Sequence, residues 1–272
     1  MNSTPPRNPL RDRWESGGAA VGTWCEIPNA FTADILGRAG FDFVAVDWQH
    51  GLHGFESLLA VVHAISVGGT VPIVRVPVNA EWAIQKALDV GAFGVIVPLV
   101  GSAEEAAAAA AACRHAPRGV RSYGPIRASG AITDDPDHVN EQVLCIPMIE
   151  TVSGIANIAG IASTPGVDAL IIGPYDLSLS MEIPFGSPEI APAVEAVLRA
   201  GVKHGVPVGR HFDTPEAAHA GYEQGFSFVT IGTDREMFAA TAVATAAAAR
   251  HGVRTEIHVQ TTVARPVASA AE

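Results

Sequence analysis

The sequence predicts an α/β protein folded as a single (β/α)8 barrel, and three observations predict it. Eight short, nearly continuous runs of Val, Ile, Leu and Ala alternate with helical stretches along 272 residues, and strands covered on both faces read this way. The length suits one barrel of about 250 residues. The reactive side chains cluster at the C-terminal ends of the apolar runs, which in such a barrel converge on one mouth.

The elements follow in order. Residues 1–18 are a leading segment without the apolar core of a secretory signal. The expected strands are Val21–Ile27, Phe41–Asp47, Val71–Val76, Phe93–Leu99, Val143–Ile149, Ala169–Ile172, Val206–Gly209 and Ser227–Ile231. Helices are expected over Ala80–Val90, Ala103–His115, Ser153–Ser163, Pro188–His204 and Thr214–Gln224, with Ser102 able to cap the second of these. Gly40, Gly91, Gly205 and Gly225 fall where a helix must stop before the next strand. The Arg- and Gly-rich stretch within Pro117–Gln142 exceeds a normal connection, which points to function at the mouth. The barrel domain is expected over 19–253, with a final helix from about Arg235 to His251 and a tail over 254–272 that is loose or a subunit contact. A doubly wound sheet would instead want G-x-G-x-x-G after the first strand, and none follows Val21–Ile27.

Composition narrows the function. A net charge of −11 argues against nucleic-acid or anionic-membrane partners. It leaves room for an anionic small molecule held by a local positive site. Hydrophobic residues make up 48% and charged residues 17%, enough for a large core. Cys25, Cys113 and Cys145 show no CxxC spacing, so buried reduced thiols and a cytoplasmic location are expected.

Glu150 and Asp176 end the fifth and sixth strands. Two hard oxygen donors without Cys or paired His suit Mg²⁺ or Mn²⁺, completed by water and substrate. The alternative is that they cap helices or pair with arginine. Thr151 and Ser153 can do the capping after Glu150, and Gly173-Pro174 before Asp176 lets backbone approach a ligand. His50 follows Asp47 by three residues, and a strand-end His near a carboxylate can act as a base near neutral pH. His211 also points at the mouth as a lesser candidate. A structural role, bonded to backbone, is the reading for His53, His63, His115 and the remaining histidines. Arg75 ends the third strand, where it suits an oxyanion or enolate, the alternative being a salt bridge in the rim. The only lysines, Lys86 and Lys203, fall inside helices. No strand offers a Schiff-base amine, so carbonyl chemistry here needs a metal as electron sink and no organic cofactor.

At these residues the chain resembles the HpcH/HpaI aldolases, class II pyruvate aldolases of the phosphoenolpyruvate/pyruvate barrel superfamily. The resemblance rests on GTW at Gly22–Trp24, AGFDFVAVDWQH at Ala39–His50, VRVP at Val74–Pro77, ALDVGAFGVIVPLV at Ala87–Val100, RGVRSYGPIRAS at Arg118–Ser129, MIET at Met148–Thr151 and IGPYDLS at Ile172–Ser178. It implies that Glu150 and Asp176 hold Mg²⁺, Mn²⁺ or Co²⁺, and that His50 is the acid/base with Asp47 nearby. It further implies that Arg75 stabilises the enolate oxygen, that backbone around Gly173, Pro174 and Asp176 receives the substrate carboxylate, and that Trp24 lines the pocket. The family assigns the Asp matching Asp89 to raising the basicity of the histidine, although the strand reading puts Asp89 at a helix end below the barrel. Three departures alter the pocket: Met148 stands where Gln is common, Tyr175 where Ala is common, and Gln49 where Glu is common.

The expected activity is divalent-metal-dependent cleavage of a 4-hydroxy-2-oxo acid into pyruvate, or a substituted pyruvate, and an aldehyde, run in either direction. Alternatives are oxaloacetate decarboxylation or a CoA-thioester lyase reaction through the same enolate, and, in another class, a barrel that only binds a 2-oxo acid. The resemblance also implies a homo-hexamer with the last helix exchanged between neighbours, and the Ala-rich stretch Phe238–Ala249 fits that and a barrel-closing helix equally.

Overall fold

The computed structural model describes residues 7–124, 127 and 132–250. Eight parallel strands close a barrel in sequence order: β1 (Ala20–Cys25), β2 (Phe43–Asp47), β3 (Val71–Arg75), β4 (Gly94–Val97), β5 (Leu144–Ile149), β6 (Leu170–Ile172), β7 (Val208–Phe212) and β8 (Phe228–Thr233). The helices are α1 (Pro9–Glu15), α2 (Ala30–Gly37), α3 (Phe55–Gly68), α4 (Glu81–Asp89), α5 (Ala103–Cys113), α6 (Pro136–Gln142), α7 (Val152–Ala156), α8 (Ile158–Ala162), α9 (Pro174–Ser180), α10 (Ala191–His204), α11 (Pro215–Glu223) and α12 (Asp234–Arg250). The chain divides into two units, Met1–Met237 and Phe238–Glu272. The first holds the barrel. The described part of the second, 238–250, is helix throughout, with Phe238 and Val243 exposed. The expected tail, 254–272, lies outside the described residues.

The strands form because their β-branched residues face apolar layers on both sides. Val44, Val46, Val74, Val95 and Ile172 point outward into the layer shared with the helices. Phe43, Ala45, Ile73, Ile96, Ile146 and Phe228 fill the barrel interior. Gly40, Gly91, Gly205 and Gly225, expected as helix stops, all have positive φ, and Ser102 caps α5 by accepting the Glu105 N–H at 3.2 Å.

Three expectations are corrected, and the leading segment, for which no helix was expected, holds α1. α1 seats Leu10 in the barrel interior and sets Trp14 5.3 Å from Phe228. Asn8 ties it down, accepting from Leu10 N–H and donating from Nδ2 to the carbonyls of Phe93 and Gln142. The expected helix Ser153–Ser163 breaks at Asn157 into α7 and α8, and Asn157 Nδ2 donates to the Gly101 and Ser153 carbonyls. β7 runs past Gly209 to Phe212, so Arg210 and His211 are strand residues. The stretch 117–142 contains α6, capped by Asp135. Its described residues lie at the end of the barrel opposite the mouth, because it joins the end of α5 to the start of β5. There Arg121 is buried against Asp89 at 2.9 Å. Residues 125, 126 and 128–131 lie outside the described residues, and of these 125, 126, 128 and 129 belong to the RGVRSYGPIRAS motif.

Candidate active site

The mouth of the barrel holds a pocket of about 360 Å³, whose lining includes Trp24, Arg75, Met148, Gly173, Tyr175 and Asp176. Parallel strands carry these residues to one place because every strand ends on the same side. β3 delivers Arg75, β5 delivers Met148 and then Glu150, and β6 leads into Gly173, where α9 starts and brings Asp176 in its first turn.

Arg75 is held rigidly. Asp47 lies beside it in the sheet register and grips it in a bidentate pair, Nε to Oδ1 at 2.9 Å and Nη2 to Oδ2 at 2.6 Å. Such a fork fixes a guanidinium plane. The indole of Trp24 lies 4.6 Å below the Arg75 guanidinium, and its N–H donates to Thr230 Oγ1 at 3.0 Å. Nη1 is turned to Met148 Sδ, 3.9 Å away, a soft partner that leaves the donor available to a ligand. Burial pushes the Asp47 carboxyl up, but the Arg75 hydrogen bond and charge, with the His50 N–H, hold it below the ordinary value.

Glu150 is buried. Its Oε1 accepts the Leu99 N–H at 2.8 Å. Leu99 adopts φ 57°, a left-handed conformation unusual for a leucine, and is exposed. Gly173 packs against the other oxygen: a methyl there would overlap Glu150 Oε2 and come within 2.8 Å of Met148 Cε. Burial, with the negative charge of Asp176 adding to it, raises the Glu150 carboxyl to about 7, against the Leu99 N–H and the Arg75 charge. No described group donates a hydrogen bond to Asp176. A buried carboxylate whose charge is opposed by a neighbouring carboxylate is part of a donor set that a hard divalent cation satisfies. Among the described residues no third His, Cys, Asp or Glu joins them, so water and substrate oxygens would complete the coordination.

Of the expected site residues, the structure brings together Trp24, Arg75, Asp47, Met148, Glu150, Gly173, Pro174, Tyr175 and Asp176. It places His50 elsewhere, on the exposed turn after β2, where its backbone N–H and that of Gln49 donate to Asp47 Oδ1, both at 3.1 Å. Asp47 therefore serves Arg75 and the turn rather than the His50 ring. Neither Gln49 nor His50 lines the pocket. Asp89 ends α4 at the far end of the barrel, paired with Arg121. His211 does line the pocket, with Nδ1 3.0 Å from Thr230 Oγ1. Burial keeps its ring below the ordinary histidine value, although Asp213 opposes this. His53 and His115 bond backbone carbonyls, as expected of structural histidines. Glu26, Phe185, Asp213, Thr233 and Leu99 were not anticipated. Glu26 and Thr233 carry a strand-end signal, as does Leu99, the last residue of the expected strand Phe93–Leu99, although β4 stops at Val97; Phe185 lies in a loop without one.

The family model described as HpcH/HpaI aldolase/citrate lyase matches residues 20–257. The chain is 38% identical to the 2-dehydro-3,6-dideoxy-6-sulfogluconate aldolase of Pseudomonas putida, over 80% of this chain and 88% of that protein. It is 35% identical to a hydroxypyruvate/pyruvate aldolase of Rhizorhabdus wittichii, over 86% of this chain and 96% of that protein. A crystal structure of an HpcH/HpaI aldolase from Desulfitobacterium hafniense DCB-2 superposes with a TM-score of 0.83 at 25% identity, covering 90% of this chain and 99% of that one.

Proposed function

Because the chain belongs to the HpcH/HpaI aldolase/citrate lyase family, we propose that it is a divalent-metal-dependent aldolase that cleaves a 4-hydroxy-2-oxo acid to pyruvate, or a substituted pyruvate, and an aldehyde, reversibly. Its named relatives are aldolases, lyases of carbon–carbon bonds, and this chain is an enzyme of that class. The observation that carries the reading is the pair Glu150 and Asp176 beside the Asp47-gripped Arg75 in one pocket.

Glu150 and Asp176 would hold Mg²⁺, Mn²⁺ or Co²⁺, which when bound supplies Lewis-acid polarisation of the 2-oxo group. Arg75 accepts the negative charge that develops at that oxygen as the C3–C4 bond breaks. Its Nε and Nη2 are committed to Asp47, so the remaining N–H groups aim into the pocket without reorganisation. A preorganised donor of this kind is worth about 3 kcal/mol. The Gly173–Asp176 backbone receives the substrate carboxylate, and Trp24 supports Arg75 from below. A base removes the proton from the 4-hydroxyl. We assign this to His50, reaching in from the rim, and His211 is the alternative because it already lines the pocket. We further infer that the chain works as a homo-oligomer, a hexamer with the last helix exchanged.

Pyruvate C3 proton exchange with D₂O, followed by NMR, tests the enolisation without knowledge of the aldehyde. Exchange should appear only with added metal and vanish in Glu150→Ala and Arg75→Ala. Absence of exchange in metal-loaded wild type would remove the reading. Loss of retro-aldol cleavage in His50→Asn but not His211→Asn would settle the base, and the reverse pattern would move it to His211.

A further inference from the structure

One buried hydroxyl joins two walls of the mouth pocket. Thr230, on β8, is fully buried. β1 and β7 flank β8 in the barrel, and Thr230 stands opposite His211 in the β7–β8 register. Its Oγ1 lies 3.0 Å from the Trp24 indole nitrogen and 3.0 Å from His211 Nδ1. Trp24 in turn supports the Arg75 guanidinium at 4.6 Å. The contacts run unbroken from Arg75 through Trp24 and Thr230 to His211.

Counting donors and acceptors places the protons. The indole nitrogen only donates, so Thr230 Oγ1 accepts from Trp24. The hydroxyl then has its own proton to place, and among the described residues its one acceptor is His211 Nδ1. A buried hydroxyl without an acceptor is costly. Thr230 therefore donates, Nδ1 accepts with its lone pair, and the neutral ring carries its proton on Nε2. Burial favours that neutral ring over the opposing pull of Asp213 and Glu236. Nε2 bonds nothing among the described residues, since Asp213 Oδ1 lies 3.8 Å away, beyond hydrogen-bond reach. A histidine acts as a base through its bare nitrogen. Here the bare nitrogen is spent on Thr230, and the N–H is left for a ligand in the pocket that His211 lines.

On the reading that the 2-oxo oxygen lies at Arg75, the oxygen on C4 is two carbons further along the substrate. His211 is near enough to Arg75 for that charge to act on its ring. We propose that Thr230 holds His211 as a fixed Nε2–H donor to the C4 oxygen, the oxygen that becomes the aldehyde, and that His211 is not the base. The base takes the 4-hydroxyl proton. His211 keeps its own and stabilises the negative charge this oxygen carries until the C3–C4 bond breaks. His211 is then a catalytic residue and Thr230 a positioning residue. This rests on the aldolase reading of the mouth pocket.

The first readout is the ring itself. Solid-state NMR of full-length, Mg²⁺-loaded protein carrying ¹⁵N-histidine shows which nitrogen is protonated, with His211 assigned by its absence from His211→Gln. Wild type and Thr230→Ser should show the proton on Nε2, and Thr230→Val should place part of it on Nδ1. A wild-type ring protonated at Nδ1 overturns the proposal. The second readout is cleavage of 4-hydroxy-2-oxopentanoate beside pyruvate C3 exchange, which does not involve a C4 oxygen. In His211→Phe, kcat for cleavage should fall at least about tenfold more than exchange does. Glutamine offers an amide N–H but no base, so His211→Gln should return cleavage to within about threefold of wild type. Thr230→Val should lower kcat rather than KM, and Thr230→Ser should restore it. His211→Gln as slow as His211→Phe would overturn the donor in favour of a base. Cleavage and exchange falling in parallel in His211→Phe would overturn it in favour of a structural role. Either result with exchange intact in wild type removes the donor and leaves the aldolase, whereas no exchange in metal-loaded wild type removes both.

Discussion

Glu150→Gln should make the metal-free protein more stable at alkaline pH. Burial and the Asp176 charge move the Glu150 carboxyl from its ordinary 4.5 to about 7. Between those values the folded chain retains a proton that the unfolded chain has lost, so this group's contribution to stability falls as pH rises. The loss begins near the unfolded value and is complete above about 7. At 1.36 kcal/mol per unit, a rise of about 2.5 units amounts to on the order of 3 kcal/mol. Glutamine keeps an oxygen for the Leu99 N–H and carries no charge, so it removes the penalty. Urea unfolding in chelator should show the variant ahead by on the order of 3 kcal/mol at about pH 8 and by under about 1 kcal/mol at about pH 5. Comparing variant with wild type cancels the histidines whose values are depressed by burial, His53, His115 and His211, which act in the opposite direction. Adding Mn²⁺ at about pH 8 should stabilise wild type and leave the variant almost unchanged. Parallel pH profiles for the two proteins would refute the account of a buried Glu150 carboxylate whose charge awaits a cation.

Other perturbations probe other parts of the site. Asp47→Asn removes the charge that Arg75 is built against. It should cost about 3 kcal/mol of stability and lower pyruvate exchange at least about tenfold, and an active, stable variant would show that the fork does not position Arg75. Because the folded Asp47 carboxyl is held below its ordinary value, its stabilisation is present above that value and lost as acid titrates it, so the deficit of Asp47→Asn in unfolding scans should shrink toward low pH. Gly173→Ala pushes a methyl against Glu150 and Met148. Metal affinity and exchange should both fall while circular dichroism stays that of a folded barrel, and unchanged metal affinity would contradict the packing argument. Asn8→Ala leaves Leu10 without its cap and breaks the ties to Phe93 and Gln142. It should cost about 1–3 kcal/mol in denaturant unfolding with the exchange rate per folded molecule unchanged.

The sequence alone determined the barrel, because eight apolar runs separated by helices ending in glycine admit few other topologies, and periodicity and turn chemistry are local. It also marked Arg75, Glu150 and Asp176, since a strand end in a parallel barrel is a position in space as well as in the chain. Trp24 and Met148 came from the family resemblance, and Gly173 from the bare backbone it offers beside Asp176. Local reading failed where partners distant in sequence decide the outcome. Asp47 reads as a companion of His50, three residues on, yet it belongs to Arg75, 28 residues away, because the β2–β3 register sets the two side by side. Arg210 and His211 read as loop, since polar residues break the apolar run, but pairing with β6 and β8 extends the strand through them. The leading segment shows no long periodic run, and its helix exists because the open end of the barrel supplies a surface for Leu10 and Trp14. Leu99 takes a left-handed conformation that nothing around it in sequence requires, and the Glu150 carboxylate, 51 residues away, receives its N–H. Tertiary structure decided these because a carboxylate or a guanidinium taken from water is governed by whichever charge lies within a few ångströms, and closing the barrel chooses that neighbour.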